Sequence, residues 1–328
     1  MVTFGTHGAK IWKCPSCPKK ALVLCGLILV GGWVAGARLG DVKVGENQRV
    51  VIIGALNLSP DSFYRGSITR KKSDMIKRAR WMVEQGANVI DVGAMGTGPK
   101  SRPISPEMEK RELVSAVKLL AKELDVPISA DTQRAEIAKA AIEAGVTVIN
   151  DISGLKSDAR MAEVIADAGC SALVMATRRA PGDVYETDEI KLALKESLHI
   201  CKKSGVPLNR VVLDPAIGYW PARLARFGHR AKKRARDSRY KVVTLIDLKI
   251  LARLQELKSL GCPLCVGISR KSFLGDVLKL PKPEDRLIGS LAATAIAVLN
   301  GADVIRTHDP AETLQAVRVA EAIREAGG

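Results

Sequence analysis

From Arg49 to the C-terminus the chain repeats one pattern: a short apolar run ends in a polar residue, and a stretch with apolar residues three or four apart follows it. Eight such runs occur, at Val50–Asn57, Asn88–Asp91, Ile128–Asp131, Thr147–Asp151, Ala172–Met175, Val211–Asp214, Leu264–Ile268 and Asp303–Arg306. Between them, Met75, Ala79, Met82 and Val83 mark one face of a helix over Met75–Glu84, and Leu113, Val114, Val117 and Leu120 mark another over Glu107–Glu123. The last helix is expected to start at Asp309-Pro310, an N-cap followed by proline at the first helical position. Strands this continuously apolar suit a parallel sheet buried on both faces. Eight successive β/α units predict an α/β fold of the (β/α)8 TIM-barrel type, with its active site at the C-terminal ends of the strands. An open doubly wound sheet is the other arrangement that alternates in this way. No G-x-G-x-x-G follows the first strand, so its dinucleotide-binding form lacks its main mark.

The 328 residues exceed the roughly 250 that one barrel needs. The surplus falls in an N-terminal extension, residues 1–40, and in a basic insertion after strand six, so the barrel is expected over 41–328. Hydrophobic residues make up 47% of the chain and aromatics only 4%, which leaves Ala, Val, Ile and Leu to fill a large core and argues against disorder.

Charge changes this picture at one place. The net charge is +16, and half of it comes from Arg223–Lys241, where Arg223, Arg226, Arg230, Lys232, Lys233, Arg234, Arg236, Arg239 and Lys241 face a single acid, Asp237. Such a run can neutralise nucleic-acid phosphates, but no aromatic stacking series or nucleic-acid motif accompanies it. A basic loop beside an active-site mouth serves an anionic small molecule equally well. The seven cysteines do not form a disulfide framework in a chain of this length and suggest a reducing, cytoplasmic setting. Cys14-Pro-Ser-Cys17 is half of a zinc-ribbon pattern. Cys262-Pro-Leu-Cys265 falls in an expected strand, where residues three apart face opposite ways and chelate poorly. The apolar stretch Ala21–Ala37 carries four glycines and is near the lower length limit for crossing a bilayer. A membrane anchor and a loosely packed extension both remain open there.

The polar residues at the strand ends carry the candidate chemistry. They are Asn57, Asp91, Asp131, Asn150-Asp151, Asp214, Ser269-Arg270-Lys271 and Arg306-Thr307-His308-Asp309. Any one of them alone reads as a helix cap, and Asp309 is taken as one. Seven converging on one barrel mouth read as a site. Asp131, Asn150 and Asp214 offer acceptors and an amide to the donor–acceptor edge of a flat nitrogen heterocycle. Lys271, Arg306 and His308 offer cations and donors to a phosphate or diphosphate.

From about Val50 onward these segments resemble the dihydropteroate synthase family. The resemblance is carried by Gly54-Ala-Leu-Asn57-Leu-Ser-Pro-Asp61-Ser-Phe63, Asp91-Val-Gly93, Ile128-Ser-Ala-Asp131-Thr132, Ile149-Asn150-Asp151-Ile-Ser-Gly154, Leu213-Asp214-Pro-Ala-Ile-Gly218, Gly267-Ile-Ser269-Arg-Lys271-Ser-Phe273 and Ile305-Arg306-Thr-His308-Asp309. It implies a transferase that condenses 6-hydroxymethyl-dihydropterin diphosphate with an arylamine and releases diphosphate. On that reading Asp131, Asn150, Met175, Asp214 and Lys271 contact the pterin, and Asn57, Arg306 and His308 hold the diphosphate. Asn57 is then the protein ligand to Mg2+. Asp61 belongs to a mobile first loop and joins Lys271, Arg306 and His308 as the expected catalytic residues. Phe63, Thr97, Arg102 and Ser269 fall on the arylamine side. The expected partners are these small molecules and a second copy of the chain in a homodimer.

Some positions depart from the family pattern. The second loop reads Met95-Gly96-Thr97-Gly98-Pro99, with Gly98 where the family has arginine and Arg102 close by. Ala176 stands where a histidine follows Met175, with Arg178 and Arg179 next, and Ala216 replaces a glycine. The variants Asn-Leu-Ser-Pro-Asp-Ser-Phe-Tyr and Thr-His-Asp resemble the archaeal branch linked to methanopterin, whose arylamine bears a ribose 5′-phosphate. Two other readings compete: a pterin-dependent methyltransferase, for which the cations at Lys271, Arg306 and His308 would have no diphosphate to hold, and a non-catalytic relative that binds polyanions.

Overall fold

A computed structural model describes residues 36–58, 72–95, 104–228 and 238–327. Two short strands, β1 (Gly36–Leu39) and β2 (Val42–Gly45), form an antiparallel hairpin. The remaining strands form a parallel eight-stranded sheet: β3 (Val51–Asn57), β4 (Val89–Gly93), β5 (Ile128–Asp131), β6 (Val148–Asp151), β7 (Ser171–Met175), β8 (Val211–Asp214), β9 (Cys265–Gly267) and β10 (Val304–Thr307). β10 pairs with both β9 and β3, so the sheet curls on itself. It closes between β8 and β9 through a single bridge, Leu213 to Leu264, with Leu213 N donating to Pro263 O at 2.9 Å. All eight strands expected from the hydrophobic pattern are present.

The connecting helices are α1 (Lys72–Glu84), α2 (Pro106–Glu123), α3 (Ala135–Glu143), α4 (Met161–Asp167), α5 (Thr187–Lys203), α6 (Pro221–Phe227), α7 (Val242–Ala252), α8 (Ser272–Leu278), α9 (Leu287–Leu299) and α10 (Pro310–Ala326). The start of α2 follows from its sequence: Ser105 accepts from Met108 N at 3.2 Å, and proline takes the first helical position. Asp309 does not cap α10 in the expected way. Its carboxylate makes no cap bond and instead receives Arg270 Nε and Nη2, both at 2.8 Å. A bidentate guanidinium is the stronger partner for a buried carboxylate.

Side chains alternate along each strand and so build two cores. Ile52, Leu56, Ile90, Ala130, Ile149, Val174, Val266 and Ile305 point outward and pack with the helices. Val51, Ile53, Val89, Val148, Leu173, Val212, Cys265 and Val304 point into the barrel. The hairpin completes this inner core, with Ala37, Leu39 and Val44 packed against it. Its turn residue, Gly40, has φ +62°, and a Cβ there would lie 2.8 Å from Thr147 Oγ1 and 2.9 Å from Pro127 Cβ. Gly40 N also donates to Ser171 Oγ at 3.1 Å. Thr147, Pro127 and Ser171 stand at or before the starts of their strands, so the hairpin plugs the floor, opposite the mouth. Residues 36–40 therefore belong to the barrel and not to the apolar extension.

Cys262 and Cys265 fall into different cores and are both free. Among the described residues no helix is long and apolar enough to cross a membrane. Cys14, Cys17 and Ala21–Val34 lie outside those residues. If the hairpin closes the floor, Leu39→Ala, at a site with no solvent exposure, costs about 2–4 kcal/mol of unfolding free energy in a urea titration. A loss under about 0.5 kcal/mol, the range of an ordinary surface change, would rule the plug out.

Candidate active site

The barrel interior changes character over one step of the pleat. Two residues beyond the inner apolar positions Val89, Val148, Leu173, Val212, Cys265 and Val304 stand Asp91, Asn150, Met175, Asp214, Gly267 and Arg306. Asp131 ends β5 in register with Asn150 and Gly93. Lys271 and His308 enter from the loops after β9 and β10. Asp131, Asn150, Met175, Asp214, Lys271, Arg306 and His308 all line one open pocket at the mouth. Gly267 and Gly93 border the Lys271 head and the Asp131 carboxyl, where an added Cβ would sit in ordinary contact at 3.6 and 3.4 Å.

Arg306 occupies the centre. Its Nε donates to Asp91 Oδ2 at 2.6 Å, and its Nη2 lies 3.5 Å from Asp131 Oδ2. Asn150 Nδ2 donates to the same Asp91 oxygen at 3.0 Å. Asp91 has no solvent exposure and anchors both neighbours, a role that the sequence reading left unassigned. Its inward parity with Asn150 was the available clue. Burial works against the charge on Arg306, but Asp91 and Asp131 outweigh it and raise the guanidinium's pKa. Burial pushes the Asp131 carboxyl up to about 7, the Asp91 charge adds to this, and Arg306 opposes it. Burial also raises Asp214, against Lys271 and the amide of Ala216, which donates to Asp214 Oδ1 at 2.7 Å. The Lys271 ammonium is lowered by burial and partly restored by Asp214 and Asp247. The pocket therefore offers groups whose protonation can adapt to a ligand edge.

His308 corrects one expectation. Burial, with Arg306, Arg270, Arg78 and Lys271 nearby, takes its pKa down to about 3, so it is a neutral imidazole and not a cation. Its Nδ1 lies 2.9 Å from Ser269 Oγ and its Nε2 3.4 Å from Asn57 Nδ2. The Asn57 amide nitrogen can only donate, so Nε2 accepts there and the proton sits on Nδ1. Ser269, expected on the arylamine side, is engaged with His308 and with Asp309 Oδ2 at 3.4 Å. Arg78 Nη2 donates to His308 O at 2.7 Å and fixes that loop from α1. Asn57, the expected magnesium ligand, has no cage around it: no three His, Cys, Asp or Glu side chains cluster for a metal among the described residues.

The basic segment also reads differently. Arg223 is fully buried and pairs with Asp247, and Lys241 pairs with Asp276 at 3.3 Å. The backbone amides of Arg178 and Arg179 are both tied to Asp183, at 2.9 and 2.7 Å. Trp220, not singled out from sequence, walls the pocket and donates to Ala216 O at 2.9 Å. Asp61, Phe63, Thr97, Gly98, Arg102 and residues 229–237 lie outside the described residues.

A parallel barrel with paired acids and bases at its C-terminal mouth defines a (β/α)8 enzyme. The family profile described as pterin binding enzyme matches residues 53–233 and 244–308. The dihydropteroate synthase of Synechocystis sp. is 33% identical over 292 residues, covering 87% of this chain and 94% of that protein. That of Bacillus subtilis is 31% identical over 281 residues, covering 86% and 91%. Among solved structures, a dihydropteroate synthase from Coxiella burnetii in complex with pteroic acid aligns with a TM-score of 0.73 at 29% identity, covering 89% of this chain and 99% of that one. The Yersinia pestis enzyme in a sulfonamide drug complex gives 0.75 at 29% identity, with the same coverage. The chain belongs to the dihydropteroate synthase family of pterin-binding enzymes.

The Asp131 environment has a consequence for stability. A carboxyl whose folded pKa is raised binds its proton more tightly when folded, so its favourable contribution is present at low pH and is lost as pH rises through about 7. Asp131→Asn removes this titration. Between about pH 4 and 8 the wild type loses stability relative to that variant, by at most about 4 kcal/mol in paired denaturant titrations. A difference that stays flat over that range would refute the raised pKa.

Proposed function

We propose that this enzyme joins 6-hydroxymethyl-dihydropterin diphosphate to p-aminobenzoate and releases diphosphate, as its relatives' name implies, in folate biosynthesis. The observation that carries the proposal is the convergence of Asp131, Asn150, Asp214 and Lys271 in one pocket of a family member. A pterin edge presents alternating N–H donors and ring acceptors. Asp214 and Asp131 take the donors, while the Asn150 amide and the Lys271 ammonium serve the acceptors. Met175 gives the ring an apolar floor. The amine nitrogen attacks the methylene carbon, the carbon–oxygen bond to diphosphate breaks, and the amine sheds a proton. The main tasks of the protein are orientation and stabilisation of the departing charge.

Arg306 and His308 flank the place where that charge develops. Arg306 already holds a permanent charge there, and an incoming anion would favour a proton on His308. Asn57 offers one neutral ligand, its amide oxygen, which fits a magnesium ion that arrives with the diphosphate and keeps its own waters. When bound, such an ion would neutralise charge on the leaving oxygens. Four buried free thiols among the described residues suit a reducing cytoplasm.

The test offers the purified enzyme the dihydropterin diphosphate with p-aminobenzoate or with an arylamine bearing ribose 5′-phosphate, and follows diphosphate release. Release with p-aminobenzoate is expected. Turnover of the ribose-phosphate amine alone would move the enzyme to the methanopterin type, and release with neither would end the proposal. Asp214→Ala should weaken pterin binding about 10- to 100-fold, the worth of one charge-assisted hydrogen bond. Chelation should slow turnover, whereas tight magnesium binding to the free enzyme would count against Asn57 as a substrate-dependent ligand.

We also propose a homodimer through α9 and α10. Ile288, Ala292, Ile296 and Leu299 form an exposed stripe on α9, and Val319, Ala322 and Ile323 one on the neighbouring α10. Ile288 is 81% and Val319 61% exposed, on two helices that pack against each other. Sedimentation should give a dimer that Ile296→Glu with Val319→Glu converts to monomer. A monomeric wild type would disprove the interface.

A further inference from the structure

Behind the pterin pocket lies a charge pair that the reaction itself does not use. Arg223 has no solvent exposure, although it opens the most basic stretch of the chain. Its Nη1 donates to Asp247 Oδ1 at 2.7 Å and to Gly218 O at 2.9 Å. Its Nη2 donates to Val184 O at 2.9 Å and to Ala216 O at 3.2 Å. Asp247 Oδ1 also accepts from Gly218 N at 2.8 Å. One buried guanidinium and one buried carboxylate thus take two carbonyls and an amide of the turn Ala216–Gly218, and tie it to the loop after β7.

The middle carbonyl of that turn faces the other way. Ile217 O accepts from Lys271 Nζ. Ala216 and Gly218 hold φ of +66° and +139°, a region in which alanine is disfavoured. A turn of this kind does not keep its shape unaided, and apolar residues in place of the pair would take these partners from Gly218 N, Gly218 O and Val184 O, while Ala216 O would keep Trp220 Nε1.

We propose that Arg223 and Asp247 are positioning residues for Lys271, holding the Ala216–Gly218 turn so that Ile217 O fixes the lysine head in the pocket. The proposal rests on the pterin reading of that pocket. It also has an electrostatic side. The charged and titratable groups around Lys271 are Asp214 from β8, Asp247 from α7, Arg223 from α6 and Arg306 from β10, with Cys265 and His308 nearby. Asp247 favours the ammonium, and Arg223 opposes it.

Opposite signs make the pair separable from a merely structural one. Asp247→Asn keeps the shape and an acceptor for Gly218 N but removes a negative charge, so Lys271 should lose its proton at lower pH. Arg223→Met removes a positive charge and should move that loss to higher pH, each shift being about one unit. The double variant should return close to the wild type. The measurement is the dissociation constant of 6-hydroxymethyl-dihydropterin diphosphate by calorimetry, from about pH 6 to 10, around the lysine limb. Shifts of the same sign, or none, overturn the proposal.

If Arg223→Met does not fold, Arg223→Lys keeps the charge but cannot reach all three carbonyls. It should leave the alkaline limb in place and weaken binding about tenfold, and unchanged binding would overturn the proposal. A wild type that does not bind the pterin defeats the pocket reading instead. Nitrogen NMR of the Lys271 head, assigned with Lys271→Arg, then tests the same opposite shifts without ligand.

Discussion

The bond between Arg306 and Asp91 sets the terms for the rest of the mouth. A guanidinium inside the mouth of a barrel has lost much of its water, and a counter-charge of good geometry makes that position tenable. Asp91 supplies it from the neighbouring inward level at 2.6 Å. Once that pair is formed, the remaining charges do not cancel. Asp214 has Lys271 as its counter-charge, whereas Asp131 lies 3.5 Å from the guanidinium that Asp91 already holds, and burial with the Asp91 charge keeps its proton on up to about 7. N–H donors facing these buried carboxyls would favour their charged form.

Rigid supports keep these groups in place. The polar groups that line the pocket stand on strands or in the loops just beyond them, and Asn150, His308 and Lys271 each have a partner that limits their rotamers. Asn150 is held by Asp91, His308 by Ser269 and Asn57, and Lys271 by Ile217 O. Arg270 and Asp309, both buried, tie the loop after β9 to the loop after β10. Side chains fixed before substrate arrives lose little freedom on binding, which is where such a site gains over one assembled from loops.

Much of this was legible in the sequence because strand periodicity and strand parity are local. All eight barrel strands follow from short apolar runs, and the residues that end them converge as the topology requires. What stayed hidden depended on partners far away in the chain. Nothing local distinguishes Arg223, buried against Asp247, from the basic residues that follow it. Asp309 has the sequence position of a cap, but Arg270 claims its carboxylate. His308 looks like a phosphate-binding cation until the cations packed around it are known. The floor hairpin left no such mark, because Arg38 and Lys43 interrupt its two strands and no amphipathic helix follows either of them. Asp91 was visible as a strand end, yet its role as anchor appears only when Arg306 is placed beside it.

The single bridge that closes the barrel has a consequence for motion. Elsewhere neighbouring strands share a ladder, but β8 and β9 meet only at Leu213 and Leu264. This is the seam with the fewest inter-strand hydrogen bonds to break when the barrel opens. Asp214 sits at the end of one side of the seam and Lys271 just past the end of the other. A ligand that engages both spans the joint like a suture, so part of its binding energy is converted into resistance of the whole barrel to breathing.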